Sequence, residues 1–248
     1  MGTYHSGTIR VAKRVGGGLS FSSFYTFSRA IDNASSLAET AGSNTFAADS
    51  YNERAEKGLS SFDMRNRWVS NYIWDVPIGK GTHHFADGVK GTILANWQTA
   101  GILTFQSGQP FTPQQASSLD GTLSGAARPD RVCNGNLPPS KRTPQQWIDT
   151  SCFVSPPLFY DAEGPYSIPG NSGRDVLIGP GVKNFDFDIQ KGFLFRETQR
   201  VDFRWEVFNI SNHPNFFLPG RLTGTPDFGV VTAAKDPRLM QFSLRYSF

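Results

Sequence analysis

Apolar and polar side chains alternate with a period of two through seven stretches of the chain. That period predicts strands, because apolar positions on a helix face recur at three and four. The last stretch shows it most cleanly: in Arg238 to Phe248, Met240, Phe242, Leu244, Tyr246 and Phe248 share one face, while Leu239, Gln241, Ser243, Arg245 and Ser247 share the other. Near the N-terminus, Ile9, Val11 and Val15 oppose Thr8, Arg10 and Arg14. Leu19, Phe21, Tyr25 and Phe27 then oppose Ser20, Ser22, Thr26 and Ser28, and Gly16 to Gly18 supply the reversal of a hairpin. Phe62 to Val76 sets Trp68, Tyr72 and Trp74 against Asp63, Arg65, Arg67, Asn71 and Asp75. Val89 to Gln106 sets Ile93, Ala95, Trp97, Leu103 and Phe105 against Asn96, Gln98, Thr104 and Gln106. Val182 to Phe193 sets Phe185, Phe187, Ile189 and Phe193 against Asn184, Asp186, Asp188 and Gln190, and Val201 to Val207 alternates with Asp202, Arg204 and Glu206. Each strand is apolar on one side and wet on the other.

The connections alternate in length. Ile31 to Ser61, Ser107 to Pro180 and Asn209 to Pro237 are long; Gly16 to Gly18, Gly79 to Gly88 and Leu194 to Gln199 are short. The long ones hold no sustained period. A short helix fits inside the first, and in the second Thr143 is placed to cap one helical turn with Pro144 at its first position. Short turns at one end and long loops at the other, with an apolar outer and a polar inner face, predict an antiparallel transmembrane β-barrel with long extracellular loops. A soluble sandwich also alternates, but so many charges opposite aromatics require a wet face. Trp68, Trp74, Trp97 and Trp205 then face lipid or its boundary. About eight strands make the smallest such barrel, so about seven predict an incomplete one.

Composition narrows the class. With 38% hydrophobic residues, 25 Gly and 16 Pro, the 248-residue chain suits an all-β protein with many turns. No stretch approaches the ~20 apolar residues of a transmembrane helix. A net charge of +3, scattered along the chain, gives no ground for a nucleic-acid partner. The N-terminal residues contain no apolar run of a signal peptide, so either the protein stays in the cytoplasm or the chain belongs to a longer one. Cys133 and Cys152 lie in one loop without the ligand count of a zinc site and read as a disulfide, which requires an oxidising compartment.

Six stretches resemble a known family: "LSFSSFYTFSRAID", "WQTAGILTFQSGQPFT", "RTPQQWIDTSCF", "GNSGRDVLIGPGVKNFDFDIQKGF", "VDFRWEVFNISNHPNF" and "DPRLMQFSLRYSF". Together they are similar to the C-terminal barrel region of TonB-dependent outer-membrane receptors of the Oar-like, acidobacterial type. The resemblance implies that residues 1–248 are a C-terminal fragment of a plugged barrel of about 22 strands, with signal peptide, regulatory-like domain and plug absent. It implies a place in the outer membrane of a Gram-negative bacterium and active uptake of a scarce, bulky substrate. The implied partners are outer-membrane lipid, TonB with its inner-membrane energising complex, and the barrel assembly machinery, for which Tyr246 and Phe248 resemble the recognition signal. Substrate identity is open, since receptors for siderophores, glycans, peptides and cobalamin share the pattern. Two other readings compete: a binding or adhesion barrel without transport, and a soluble carbohydrate-binding sandwich.

Candidate chemistry follows from the facing. Arg65, Arg67, Asn71, Asp75, Gln98, Asp186, Asp188, Asp202, Arg204 and Glu206 are expected to line the lumen. Their carboxylates could be taken for a metal cluster or an acid-base pair, but charges paired across a lumen wall are ordinary in barrels. His83 and His84 are adjacent in a turn and make a poor metal pair. No nucleophile elbow or phosphate loop occurs. No enzyme activity and no cofactor are expected.

Overall fold

The computed structural model describes residues 1–34, 47–49, 51–79, 88–117, 119–120, 127–196 and 199–248. Seven long strands form one antiparallel sheet: β1 (Thr3–Val15), β2 (Leu19–Asp32), β3 (Asn66–Asp75), β4 (Trp97–Gln106), β5 (Val182–Arg196), β6 (Gln199–Phe208) and β7 (Leu239–Ser247). They pair in sequence order, and β1 and β7 are its edges. A two-residue strand, Gly58–Leu59, adds to the end of β2. Such a meander arises when consecutive alternating segments pair with their neighbours in sequence, here through short reversals at one end and long connections at the other. At the first reversal Gly17 and Gly18 adopt φ of 79° and 81°, which glycine does without steric cost. No second sheet of long strands covers this one among the described residues, so the sandwich reading does not hold.

The register settles which side chains share a face, because directly paired residues point the same way. From β7 inward, Phe242 pairs with Trp205, Trp205 with Ile189, Ile189 with Thr99, and Thr99 with Trp74. Trp68, Trp74, Trp97 and Trp205 therefore lie on one face, with Phe203, Leu244 and Tyr246. This face stays open: Phe242 is 67% and Leu244 74% exposed. In water that area would be a large unfavourable term.

Several boundaries differ from the sequence reading. Gly88–Leu94 is an α-helix, α1, and the strand expected from Val89 begins only at Trp97. Asn96 takes φ of 59° and ends the helical turn, while the indole N–H of Trp97 donates to the carbonyl of Ile93 at 3.1 Å. Alternation of Ile93 and Ala95 was too short to distinguish the two periods. The strand expected from Phe62 begins at Asn66, because the Asp63 carboxylate is turned inward to accept the backbone N–H of Ala30 at 2.6 Å. Thr143 and Gln146 close a tight turn through mutual backbone hydrogen bonds, not a helical turn. Among the described residues of the first loop the helical element is a single 3-10 turn, Glu53–Glu56; residues 35–46 lie outside the described residues.

The largest departure is in the long connections, which fold. Pro110–Phe111 pairs with Leu177–Ile178, Gln114–Gln115 with Leu222–Thr223, and Asp130–Arg131 with Phe153–Val154. Phe111, Ile148, Cys152, Phe153 and Leu177 make a buried core, with Trp147, Val176, Leu218 and Phe228 packed around it. This cap closes over the long-loop end of the sheet. Among the described residues the open sheet has no comparable core of its own.

Candidate functional site

Two surfaces are positioned to act: the polar wall of the sheet and the cap above it. On the wall, one row runs Asp75, Gln98, Gln190, Arg204 and Ser243 across five strands, and the next runs Asp188, Glu206 and Gln241. The side chains satisfy one another. Gln98 donates to Asp75 at 2.5 Å, and Gln190 donates to Gln98. Arg204 reaches Asp188 at 2.5 Å and Glu206 at 2.8 Å, and Gln241 also donates to Glu206. Arg200 holds Asp202 at 2.6 Å, and Asp186 accepts from Asn184 at 2.8 Å and from the N–H of Asn209 at 2.9 Å.

Arg67, Asn71, Asp75, Gln98, Asp186, Asp188, Asp202, Arg204 and Glu206 thus share the polar face. Arg65 does not. It precedes β3, and its guanidinium lies 5.8 Å over the ring of Phe27 on the apolar side. The reason is that the chain has not yet entered the ladder at Arg65, so strand parity does not apply to it. The wall also carries apolar ground that the charges conceal: a cleft of about 500 Å3 is lined by Ala12, Ser22, Asn71, Ile73, Ala100 and Ile102. Such a surface offers hydrogen bonds and apolar contact to a passing solute. Among the described residues no three His, Cys, Asp or Glu converge as metal ligands; His83 and His84 lie outside the described residues.

The cap is fastened to the sheet by charges that strand periodicity could not reveal. Arg174, 5% exposed, bonds the Asp32 carboxylate and, at 2.8 Å, its carbonyl at the end of β2; it reaches Asp175 at 3.1 Å and the Glu56 carbonyl at 3.0 Å. Arg128 pairs with Glu56, both buried. Gly58 passes so close that a Cβ there would meet the carbonyl of Arg174 at 2.5 Å. Buried pairs hold only when each charge is also hydrogen-bonded, and here carbonyls and Thr112 complete the set. Asp32, Glu56, Arg128 and the Arg174–Asp175 pair come from four separate stretches of the chain, and nothing in the sequence links those stretches.

Asp175 departs from ordinary carboxylate behaviour. Burial pushes it up to about 6, against the lowering pull of Arg174 and of the Thr112 hydroxyl. Its ordinary value is 3.8, so the folded cap binds the proton more tightly than the unfolded one. The resulting stability is fully present below 3.8 and is lost as pH rises through about 6, on the order of 3 kcal/mol in all. Protease resistance of the cap will therefore fall between about pH 4 and 6. Asp175→Asn, which keeps a hydrogen-bonding side chain without the titration, will flatten that dependence; an unchanged pH profile in the variant contradicts the assignment.

Cys133 and Cys152 are joined by a disulfide that staples the cap core. The bridge closes a loop with a sequence separation of 19, which in the chain-entropy estimate restrains the unfolded cap by about 3 kcal/mol. Cys133→Ser with Cys152→Ser will lower the denaturant midpoint of the cap while leaving the sheet's own transition in place. Two free, reactive thiols in native protein without reductant are incompatible with this pairing.

At the opposite end, Tyr246 and Phe248 stack with ring centroids 5.7 Å apart, and Phe248 is 93% exposed beyond the last strand. No described helix is long and apolar enough to cross a membrane. No curated protein and no solved structure matches the chain. A model of the outer membrane beta barrel domain matches residues 1–241. With a sheet of seven sequential antiparallel strands, an open aromatic face and a paired polar one behind that match, the chain belongs to the outer membrane beta barrel domain family, and its place is the outer membrane.

Proposed function

We propose that this barrel wall and cap are the C-terminal part of a TonB-dependent receptor of the Oar-like type, which takes up a scarce, bulky solute through the outer membrane. The observation that carries the reading is the folded cap: a long-loop end with its own core, disulfide and buried ion pairs, set over a polar wall. A pore for small solutes has no need of such a preformed surface, whereas capture of a dilute ligand benefits from preorganisation. The six stretches that resemble the Oar-like barrel support the finer assignment. In this reading the apolar face meets outer-membrane lipid, Tyr246 and Phe248 are read by the barrel assembly machinery, and TonB with its inner-membrane complex acts through a plug encoded upstream. Signal peptide, regulatory-like domain and plug belong to that upstream part. No reaction, cofactor or nucleic acid enters the scheme.

A second reading has one observation in its favour. The hairpin Leu158–Asp161 with Gly164–Ser167 is exposed, Tyr160 at 76%, and stacks Phe159 on Tyr166 at 5.6 Å; an adhesion barrel would use such a tip without transport. The gene and the cell separate the two. Transport requires a plug and TonB box in frame ahead of Met1, and solute accumulation that a protonophore abolishes. A barrel gene without them, or accumulation indifferent to the protonophore, contradicts the uptake reading.

A further inference from the structure

The outward face carries charge of one sign only. Among the described strand residues Asp75, Asp186, Asp188, Asp202 and Glu206 all fall on the polar wall, and the register puts no carboxylate on the apolar one. Cations do occur there. Lys13 lies toward the short-turn end, and Lys191, opposite Phe203, is enclosed, its ammonium on the Ala95 carbonyl and over Trp97 and Phe193. Toward the long-loop end stand Arg29, opposite His5 in the register, and Lys183 at the start of β5.

Lys183 ends a cross-strand row with Phe105, Trp68 and Tyr25. The same four residues, with Asn66 and Ser107, line a cleft of about 590 Å3 on the outward face. The polar tips of the aromatic rings are already satisfied within the protein. The Tyr25 hydroxyl donates to Asn66 at 2.7 Å, the Trp68 indole to Ser23 at 2.8 Å, and Trp68 stacks on Phe105 at 5.5 Å. The cleft therefore presents flat apolar walls and one exposed ammonium. The backbone of Lys183 is pinned on both sides by Asn215, at 2.8 and 3.0 Å, while its side chain has no hydrogen bond or ion pair among the described residues. Arg29 is likewise exposed, with no hydrogen bond or ion pair among the described residues, and Arg65 sits 5.8 Å over the ring of Phe27 with Asp63 at 3.9 Å.

We propose that this cleft and the cations around it hold an anionic glycolipid of the outer leaflet, its phosphates on Lys183 and Arg29 and an acyl chain along Trp68 and Phe105. Aromatic rings seat at the boundary between headgroup and hydrocarbon, and long basic side chains reach from an apolar wall to the charged layer. Fixed cations near a membrane surface favour anionic headgroups over zwitterionic ones, whose own ammonium competes. The proposal rests on the barrel assignment and is independent of transport.

The test uses protein extracted from outer membranes in mild detergent, with bound lipid identified by native mass spectrometry. Wild-type protein retains the anionic glycolipid through washing. The Arg29→Gln, Lys183→Gln double variant retains at least about fivefold less, with an unchanged heat-modifiable fraction, and Lys183→Arg with Arg29 intact restores retention. Equal retention by the double variant, or retention of zwitterionic phospholipid at the glycolipid's level, overturns the site. If the double variant does not assemble, wild-type protein decides: glycolipid release that rises with salt supports the ionic contact, and salt-independent retention overturns it.

Discussion

Phe203→Arg will deplete assembled barrel from the outer membrane, and Arg204→Phe, one residue away, will not. Phe203 lies in the middle of β6, paired with Leu244 on one side and Lys191 on the other, its ring 6.4 Å from Phe242. An arginine there meets hydrocarbon at a cost of about 2–4 kcal/mol near the midplane. The neighbouring Lys191 shows what a cation on this face requires: it is 2% exposed, with a carbonyl for its protons and two rings around it. Position 203 has no such enclosure. Arg204 points to the other side and is 47% exposed, so its pairs with Asp188 and Glu206 are worth at most ~1 kcal/mol. Heat-modifiable migration of both variants, expressed in the complete protein, reads the result. Equal loss in the two contradicts the facing of β6.

The second large effect belongs to the cap. Arg174→Ala removes the guanidinium that joins Asp32, Glu56 and Asp175, and leaves two carboxylates facing a dry interior. Breaking one side of a buried network of this kind costs about 3–5 kcal/mol. The loss is local, because β2 and β3 keep their ladder without the cap. Limited proteolysis will cut the cap of the variant and leave the strands intact, and the melting of the strands will move little. Arg174→Lys supplies the charge but not the planar fork, so it will recover only part of the resistance. A cap as resistant in Arg174→Ala as in the native protein contradicts its role as the fastening.

The wall was legible in the sequence because period two needs no tertiary information. Once Met240 to Phe248 and Val201 to Val207 are sorted by parity, Trp205 and Phe242 fall on apolar faces, and the structure pairs them. The same rule misplaced Arg65, one residue ahead of its strand, and missed α1, where seven residues hold too little pattern to separate a helix from an alternating run. The cap was not legible. Its core draws Phe111, Ile148, Phe153 and Leu177 from segments without any period. Its fastening depends on contacts such as Arg174 with Asp32, whose partners are 142 residues apart in the chain. Only the two cysteines marked the cap in advance, since their chemistry is readable without a fold.

In the assembled barrel β6 has lipid on one side and water on the other. Single cysteines at 201 to 207, spin-labelled in the complete protein in membranes, test it most directly through collision with oxygen, which dissolves in hydrocarbon, and with a nickel chelate, which stays in water. Oxygen maxima are expected at Val201, Phe203 and Trp205, and chelate maxima at Asp202, Arg204 and Glu206, the two curves alternating out of phase with period two; Val207, 2% exposed, is screened from both. Curves that rise and fall together, or chelate access on both faces, would place the strand in an aqueous fold and contradict the barrel wall.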